Sequence, residues 1–169
     1  CIRDRYATSL SAARQLWDSL NVRGAPVGET AWRLLEIRAG IPTVFAATAE
    51  LFVPQMMNLE LINGVSFKKG CYPGQEIVAR MQYLGTLKRR MYAGKIASDK
   101  IALPGDALFP AGEDAQAVGR RVDAQPHPDG GQLALAVVQI AAAEAGDMFL
   151  GATDGPAFTL QALPYSLEA

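Results

Sequence analysis

The sequence of 169 residues is poor in the side chains that most often carry chemistry. It contains two cysteines, Cys1 and Cys71, and a single histidine, His127, which stands in a proline- and glycine-rich turn sequence. Two distant cysteines cannot supply the four ligands of an ordinary iron–sulfur cluster, and they do not suggest a disulfide framework. We therefore expect no metal site, no cysteine–histidine catalysis and a reducing, cytoplasmic compartment.

The chain also lacks a strong charge bias and a long apolar run. Its formal net charge is -1, so it exerts no overall attraction on nucleic acids or membranes. No segment reaches the ~18 to 20 apolar residues of a membrane span, and neither a Walker loop nor a GxGxxG element is present. Half of the residues are hydrophobic. This composition predicts one or two small globular domains with a sizeable core.

One short segment combines a thiol, two cations and a helix-start signal. Residues 68–76 read Lys-Lys-Gly-Cys-Tyr-Pro-Gly-Gln-Glu, and apolar positions follow at helical spacing. Pro73 suits a first helical turn, which places Cys71 at or just before a helix N-terminus. Backbone N–H groups and the two lysines favour a thiolate there. The alternative is a loop thiol without chemistry.

The remaining pattern predicts helices first and strands afterwards. We expect a helix over residues 8–21 with Trp17 in the core, and a short helical turn over residues 28–32 followed by a strand over 34–39. Residues 42–67 show no regular period, which is typical of a functional loop or of a connector that wraps the core. After Gly85, short strands with regular turns predict a small sandwich or barrel. They cover residues 88–97, 108–109, 117–124, 132–139 and 158–163.

The motif at residues 68–76 resembles the signature of the YgfZ-type folate-binding proteins, also called tRNA-modifying proteins. Residues 32–42, Trp-Arg-Leu-Leu-Glu-Ile-Arg-Ala-Gly-Ile-Pro, and residues 163–168, Leu-Pro-Tyr-Ser-Leu-Glu, resemble two further segments of this family. The family is related to the glycine-cleavage T-protein, an aminomethyltransferase. The resemblance covers nearly the whole chain and is weakest over residues 98–159.

The resemblance implies an α+β fold in two domains. Residues 1–85 would form the C-terminal part of a T-protein-like folate-binding domain, and residues 86–169 a small antiparallel β-barrel of six strands. Family members are longer, so the chain is expected to match their C-terminal half, with the N-terminal half of the same protein missing. The T-protein's catalytic aspartate has no counterpart in this sequence.

The resemblance also implies a function. A folate-binding accessory protein would support iron–sulfur enzymes or their assembly proteins and, indirectly, tRNA modification. Its ligand would be tetrahydrofolate or a one-carbon derivative, with Trp32 against the pterin and Cys71 as the reactive or redox thiol. The motif residues of the candidate site are Lys69, Gly70, Cys71, Tyr72, Gly74, Gln75 and Glu76. Two alternatives stay open, a folate-dependent aminomethyl transferase and a non-catalytic interaction module.

Basic residues form a second candidate surface. Residues 88–90, Lys-Arg-Arg, together with Lys68, Lys69 and Arg80, could attract RNA phosphates or the glutamate tail of folate. The alternative is an ordinary solvated edge.

Overall fold

A computed structural model describes residues 8–100, 103–112 and 115–167; Cys1 and Glu168, named above, lie outside these ranges. The described helices are α1 Leu10–Asn21, α2 Glu29–Arg38, α3 Gln75–Leu84 and α4 Ile140–Ala145, with 3₁₀ turns at Ala46–Thr48 and Pro54–Met57. The described strands are β1 Arg89–Ile96, β2 Ala107–Pro110, β3 Gly119–Pro126, β4 Gln132–Gln139, β5 Met148–Leu150 and β6 Phe158–Gln161. None of the described helices is long and apolar enough to cross a membrane.

The six strands form one antiparallel sheet that curls on itself. Their order is β5-β2-β3-β4-β1-β6, and β3 and β4 are joined by the turn predicted from the sequence. The two edge strands approach each other at an antiparallel bridge between Phe149 and Ala157. The expected α+β fold with a small antiparallel barrel is confirmed.

Strand β4 separates two apolar cores because its side chains alternate between the faces of the sheet. Residues Ala134, Ala136 and Val138 belong to a cluster built from the strands and α4. The odd-numbered residues belong to a second cluster, which also contains Ile37 of α2 and Met57 of the second 3₁₀ turn. The barrel therefore has an inner core and an outer face that α2 and the 3₁₀ turn cover.

A buried arginine stands among the apolar residues of β3. Arg121 is paired with Ala136 of the inner cluster and is 1% exposed. Within the described residues its guanidinium makes no hydrogen bond, and the nearest carboxylate oxygen, Oδ2 of Asp106, is 3.8 Å away. Burial lowers the pKa of Arg121 to about 10, although Asp106 and Asp123 act in the opposite direction. The fold therefore buries this guanidinium without a close hydrogen-bonded partner, which is an energetically unfavourable arrangement.

Two expectations about the helices are wrong. Residues 34–38 continue α2 as a helix, because Leu34 and Ile37 lie three positions apart and both pack on the outer face of the barrel. Trp17 is 58% exposed on α1, a helix without a buried residue among those described. The helix predicted over residues 8–21 is present as α1, but most of its apolar stripe is exposed, with Leu10, Trp17 and Leu20 each more than half accessible.

Candidate functional site

The motif segment makes a tight turn before α3 begins. Gly74 has φ 80° and ψ 0°, and the Gln75 N–H donates to the Tyr72 carbonyl at 3.2 Å. These are the features of a type II turn with Pro73 and Gly74 at its centre, where glycine readily takes the positive φ. Pro73 therefore lies before the helix, and its expected place in the first helical turn is wrong.

A side chain closes the same turn. The Tyr72 N–H donates to Oε1 of Gln75 at 3.4 Å, while the Gln75 backbone bonds back to Tyr72. The two hydrogen bonds fix the direction in which the chain enters α3, much as a capping box does. Gln75 thus serves the helix start, whereas Glu76 is exposed in the first turn of α3.

Cys71 is exposed and carries a free thiol. It precedes the N-cap residue Gly74 by three positions and so stands on the approach to the helix. The Lys69 ammonium lies 4.6 Å from the centroid of the Tyr72 ring, a cation–π distance. A Cβ atom added at Gly70 or Gly74 would meet no atom within 4 Å. Open space therefore borders the backbone on both sides of the thiol.

Two amide side chains connect this segment to the barrel. Gln55 is 1% exposed, and its Nε2 donates to the Val78 carbonyl of α3 at 2.7 Å. Asn58 is fully buried, and its Nδ2 donates to the Met91 carbonyl of β1 at 2.8 Å. These bonds fix the position of α3 relative to the barrel. Residues 42–67 include both amides and thus contain the wrapping connector, one of the two readings of this irregular sequence.

The chain's C-terminal segment joins the same network. The Tyr165 hydroxyl donates to the Gly40 carbonyl at 2.8 Å, and Asn58 lies 3.4 Å from that hydroxyl. A Cβ on Gly40, which has φ 65°, would come within 2.6 Å of the Tyr165 ring. Burial raises the pKa of the Tyr165 hydroxyl, so it stays a hydrogen-bond donor well into alkaline solution.

An ion pair attaches α2 to the barrel. Nη2 of Arg33 lies 2.6 Å from Oδ1 of Asp123 on β3, and the Asp123 side chain is 4% exposed. The Arg33 guanidinium also lies 4.7 Å from the centroid of the Phe45 ring. Burial raises the pKa of Asp123, and Arg33 reverses only part of that shift. The local sequence does not predict this pair, because its two members lie 90 positions apart in the chain.

Trp32 is half-buried on α2, next to Arg33. Its helix packs on β3 and β4, whereas the helix that follows Cys71 packs on the second 3₁₀ turn. That turn in turn contacts β1. The helix of Trp32 therefore lies directly on the barrel, whereas α3 is connected to the barrel through the second 3₁₀ turn.

The arrangement has features that suit a flat heteroaromatic ligand. Trp32 offers a partly accessible aromatic surface on a helix held by an ion pair, and the motif offers glycine backbone open to solvent. Aromatic side chains stack on such rings, and exposed backbone N–H groups can bond their polar edges. Among the described residues, no group of three or more histidine, cysteine or acidic side chains is placed to hold a metal ion.

The predicted basic surface is smaller than the sequence suggests. Arg90 donates to Oε1 of Glu60 at 2.8 Å and to the Asn58 side chain, and it is partly buried. The positive charge of Arg90 is therefore compensated by Glu60 within the fold. Lys68, Lys69, Arg80, Lys88 and Arg89 are exposed.

The sequence is similar to that of curated bacterial proteins. The chain is 35% identical over 164 residues to the tRNA-modifying protein YgfZ of Cronobacter sakazakii, and 35% identical over 162 residues to that of Escherichia coli O45:K1. Each match covers 95% of this chain but only 50% and 49% of those proteins. The chain thus spans about half the length of the curated relatives it matches. No protein-family model matches it.

A solved structure shares the fold. The aminomethyltransferase T of the glycine cleavage system from Bartonella henselae superposes with a TM-score of 0.64 at 19% identity. The match covers 91% of this chain and 44% of that one. The expected resemblance to the YgfZ-type proteins and the T-protein-like fold are both confirmed.

Proposed function

We propose that this chain, a relative of the YgfZ tRNA-modifying proteins, is the folate-contacting part of an accessory protein that supports tRNA modification. The observation that carries the proposal is the 35% identity over 95% of the chain, which includes the motif segment. The structure supports it physically, because that segment is pre-organised by the Tyr72–Gln75 turn and leaves its backbone open.

In this proposal each element of the site has a distinct task. Trp32 stacks on the pterin of tetrahydrofolate or of a one-carbon derivative, which would supply or accept the one-carbon group when bound. Gly70 and Gly74 let the ligand approach the backbone, while Lys69 and Tyr72 form its polar and aromatic border. Cys71 is the reactive thiol, and iron–sulfur enzymes or their assembly proteins are the proposed clients. The division at residue 85 and the cytoplasmic location remain predictions.

The aminomethyltransferase fold supports one further candidate, a folate-dependent one-carbon transferase. The structural neighbour has 19% identity, which establishes the shared fold and not the reaction. We therefore rank the accessory role above the transferase and the non-catalytic interaction module.

Calorimetric titration with tetrahydrofolate tests the folate proposal. We expect measurable binding to this chain, but weaker than to the Cronobacter sakazakii relative, because a pocket shared with the unmatched half of that protein is only partly supplied here. Equal affinities would place the whole pocket within these residues. Absence of binding to both proteins would contradict the folate proposal.

The thiol proposal makes a separate prediction. In a Cys1→Ser background, iodoacetamide should alkylate Cys71 readily in the native chain, because this thiol is exposed. Saturating tetrahydrofolate should slow the alkylation, which mass spectrometry of the intact chain can follow over time. A cysteine-containing peptide serves as the control for any direct effect of folate on the reagent. An unchanged rate for Cys71 in the presence of bound folate would separate the thiol from the folate site.

A further inference from the structure

We propose that the exposed side of α3 and the loop before it form an RNA-binding face, defined by Lys68, Lys69, Tyr72, Arg80 and Tyr83. This inference rests on the proposed role in tRNA modification and names the surface of this chain that would contact the nucleic acid. The face is smaller than the basic surface predicted from the sequence. Arg90 does not belong to it, because its guanidinium is paired with Glu60.

An aromatic contact brings the two parts of the face together. The ring centroids of Phe67 and Tyr83 lie 6.4 Å apart in an edge-on arrangement. Phe67 comes directly before Lys68, so this contact places the start of the lysine pair beside α3. Arg80 and Tyr83 are three positions apart on that helix and are neighbours on its surface. The loop that carries the lysines and the helix that carries Arg80 therefore meet at the Phe67–Tyr83 contact.

The charges on this face are available to a partner. Lys68, Lys69 and Arg80 are exposed, and none of them forms an ion pair with another described residue. Glu76 is the acidic side chain on the same side of α3, so the face keeps a positive balance. The whole chain has a net charge of -1, so this balance is a local feature.

The aromatic rings favour RNA over an acidic protein surface. Tyr83 is 71% exposed, and Lys69 lies against the ring of Tyr72. A large ring that remains so exposed beside cations can stack on an unpaired base while the cations bind phosphates. An acidic peptide would use the cations and gain little from an exposed ring.

Fluorescence anisotropy with an unmodified tRNA transcript tests the face over a range of salt concentrations. Lys68→Gln and Arg80→Gln should each weaken binding and reduce the slope of log affinity against log salt by about 0.7 to 1. Tyr83→Leu should weaken binding about fivefold or more with the slope unchanged. Arg14→Gln is the matched control, because Arg14 is an exposed cation on α1, which lies outside the face.

Each outcome bears on the proposal. It is overturned if the parent chain does not bind the transcript, or if Arg14→Gln weakens binding as much as the face variants do. An effect of the cation variants without any effect of Tyr83→Leu would also overturn the proposed face, because binding would then be phosphate attraction alone, without the base stacking on Tyr83 that defines the face. Folate titration of the same variants distinguishes the two proposals, since loss of RNA binding with folate binding retained removes this inference alone.

Discussion

Replacing Asp123 by alanine is expected to lower the free energy of unfolding by about 3 to 5 kcal/mol. The substitution removes the nearer of two carboxylates beside the Arg33 guanidinium. Oδ1 of Asp123 lies 2.6 Å from Nη2, whereas Oε1 of the exposed Glu29 lies 3.8 Å from Nη1. Arg33, whose side chain is only 24% exposed, then keeps the longer contact with Glu29, which does not replace the lost hydrogen bond. Urea unfolding followed by circular dichroism measures the change through the transition midpoint.

The pKa of Asp123 also predicts how the stability changes when Arg33 and Asp123 are replaced together. Burial raises this pKa, so the folded state binds the proton more tightly than the unfolded state does. The contribution of this carboxyl to stability is therefore largest in acid and is lost as the pH rises through its folded pKa. The ionised pair is thus costly to bury, and replacing both partners together, as Arg33→Met with Asp123→Leu, should cost much less than Asp123→Ala alone.

Arg121→Met is the matched control on the same strand. Arg121 is buried and makes no hydrogen bond within the described residues, so methionine should leave stability unchanged or raise it. If Asp123→Ala and Arg121→Met destabilise the chain equally, the loss reflects disturbed strand packing, and the account of the Arg33–Asp123 pair is wrong.

Trp32→Ala is expected to cost about 1 to 3 kcal/mol of folate-binding free energy, by analogy with base–aromatic stacking. Trp32→Phe should restore part of the loss, because a smaller aromatic face remains. Calorimetric titration and thermal melting of the same variants separate binding from folding. Trp17→Ala is the control, since Trp17 is 58% exposed on α1 and has no part in the proposed site.

If Trp32 is a core residue, Trp32→Ala should lower the melting temperature and leave folate binding unchanged. Truncation of a large aromatic side chain in a core costs roughly 3 to 5 kcal/mol of stability. A Trp32→Ala chain that melts early, yet binds folate normally at low temperature, would remove Trp32 from the site.

Much of the barrel was predictable from the sequence, because its strands are short, apolar and separated by turn residues. The helix that follows Cys71 and its end at Gly85 were also predictable from apolar spacing and a terminal glycine. The brief strand β5 and the helix α4 were not, since three and six residues are too few to show a period. Residues 34–39, predicted as a strand but helical up to Arg38, have the same ambiguity, because a short apolar run fits either structure.

The residues of the candidate site could be predicted from the sequence, but the hydrogen bonds that attach them to the barrel could not. Residues 68–76 stand out by composition and by their resemblance to a family. Their attachment depends on Gln55 and Asn58, whose amides bond carbonyl groups 23 and 33 positions away in the chain. Such long-range bonds leave no local pattern, and the same holds for the Arg33–Asp123 pair, whose members lie 90 positions apart.

Fluorescence titration of two single-tryptophan chains tests the central claim, that Trp32 and the motif segment bind folate. The chain has two tryptophans, so Trp17→Phe leaves Trp32 as the sole reporter and Trp32→Phe leaves Trp17. We expect tetrahydrofolate to quench the Trp17→Phe chain along a saturable curve, because the pterin stacks on the remaining indole. The Trp32→Phe chain should show only the linear decrease caused by ligand absorbance. The same linear decrease in both chains would contradict the folate site proposed for this protein.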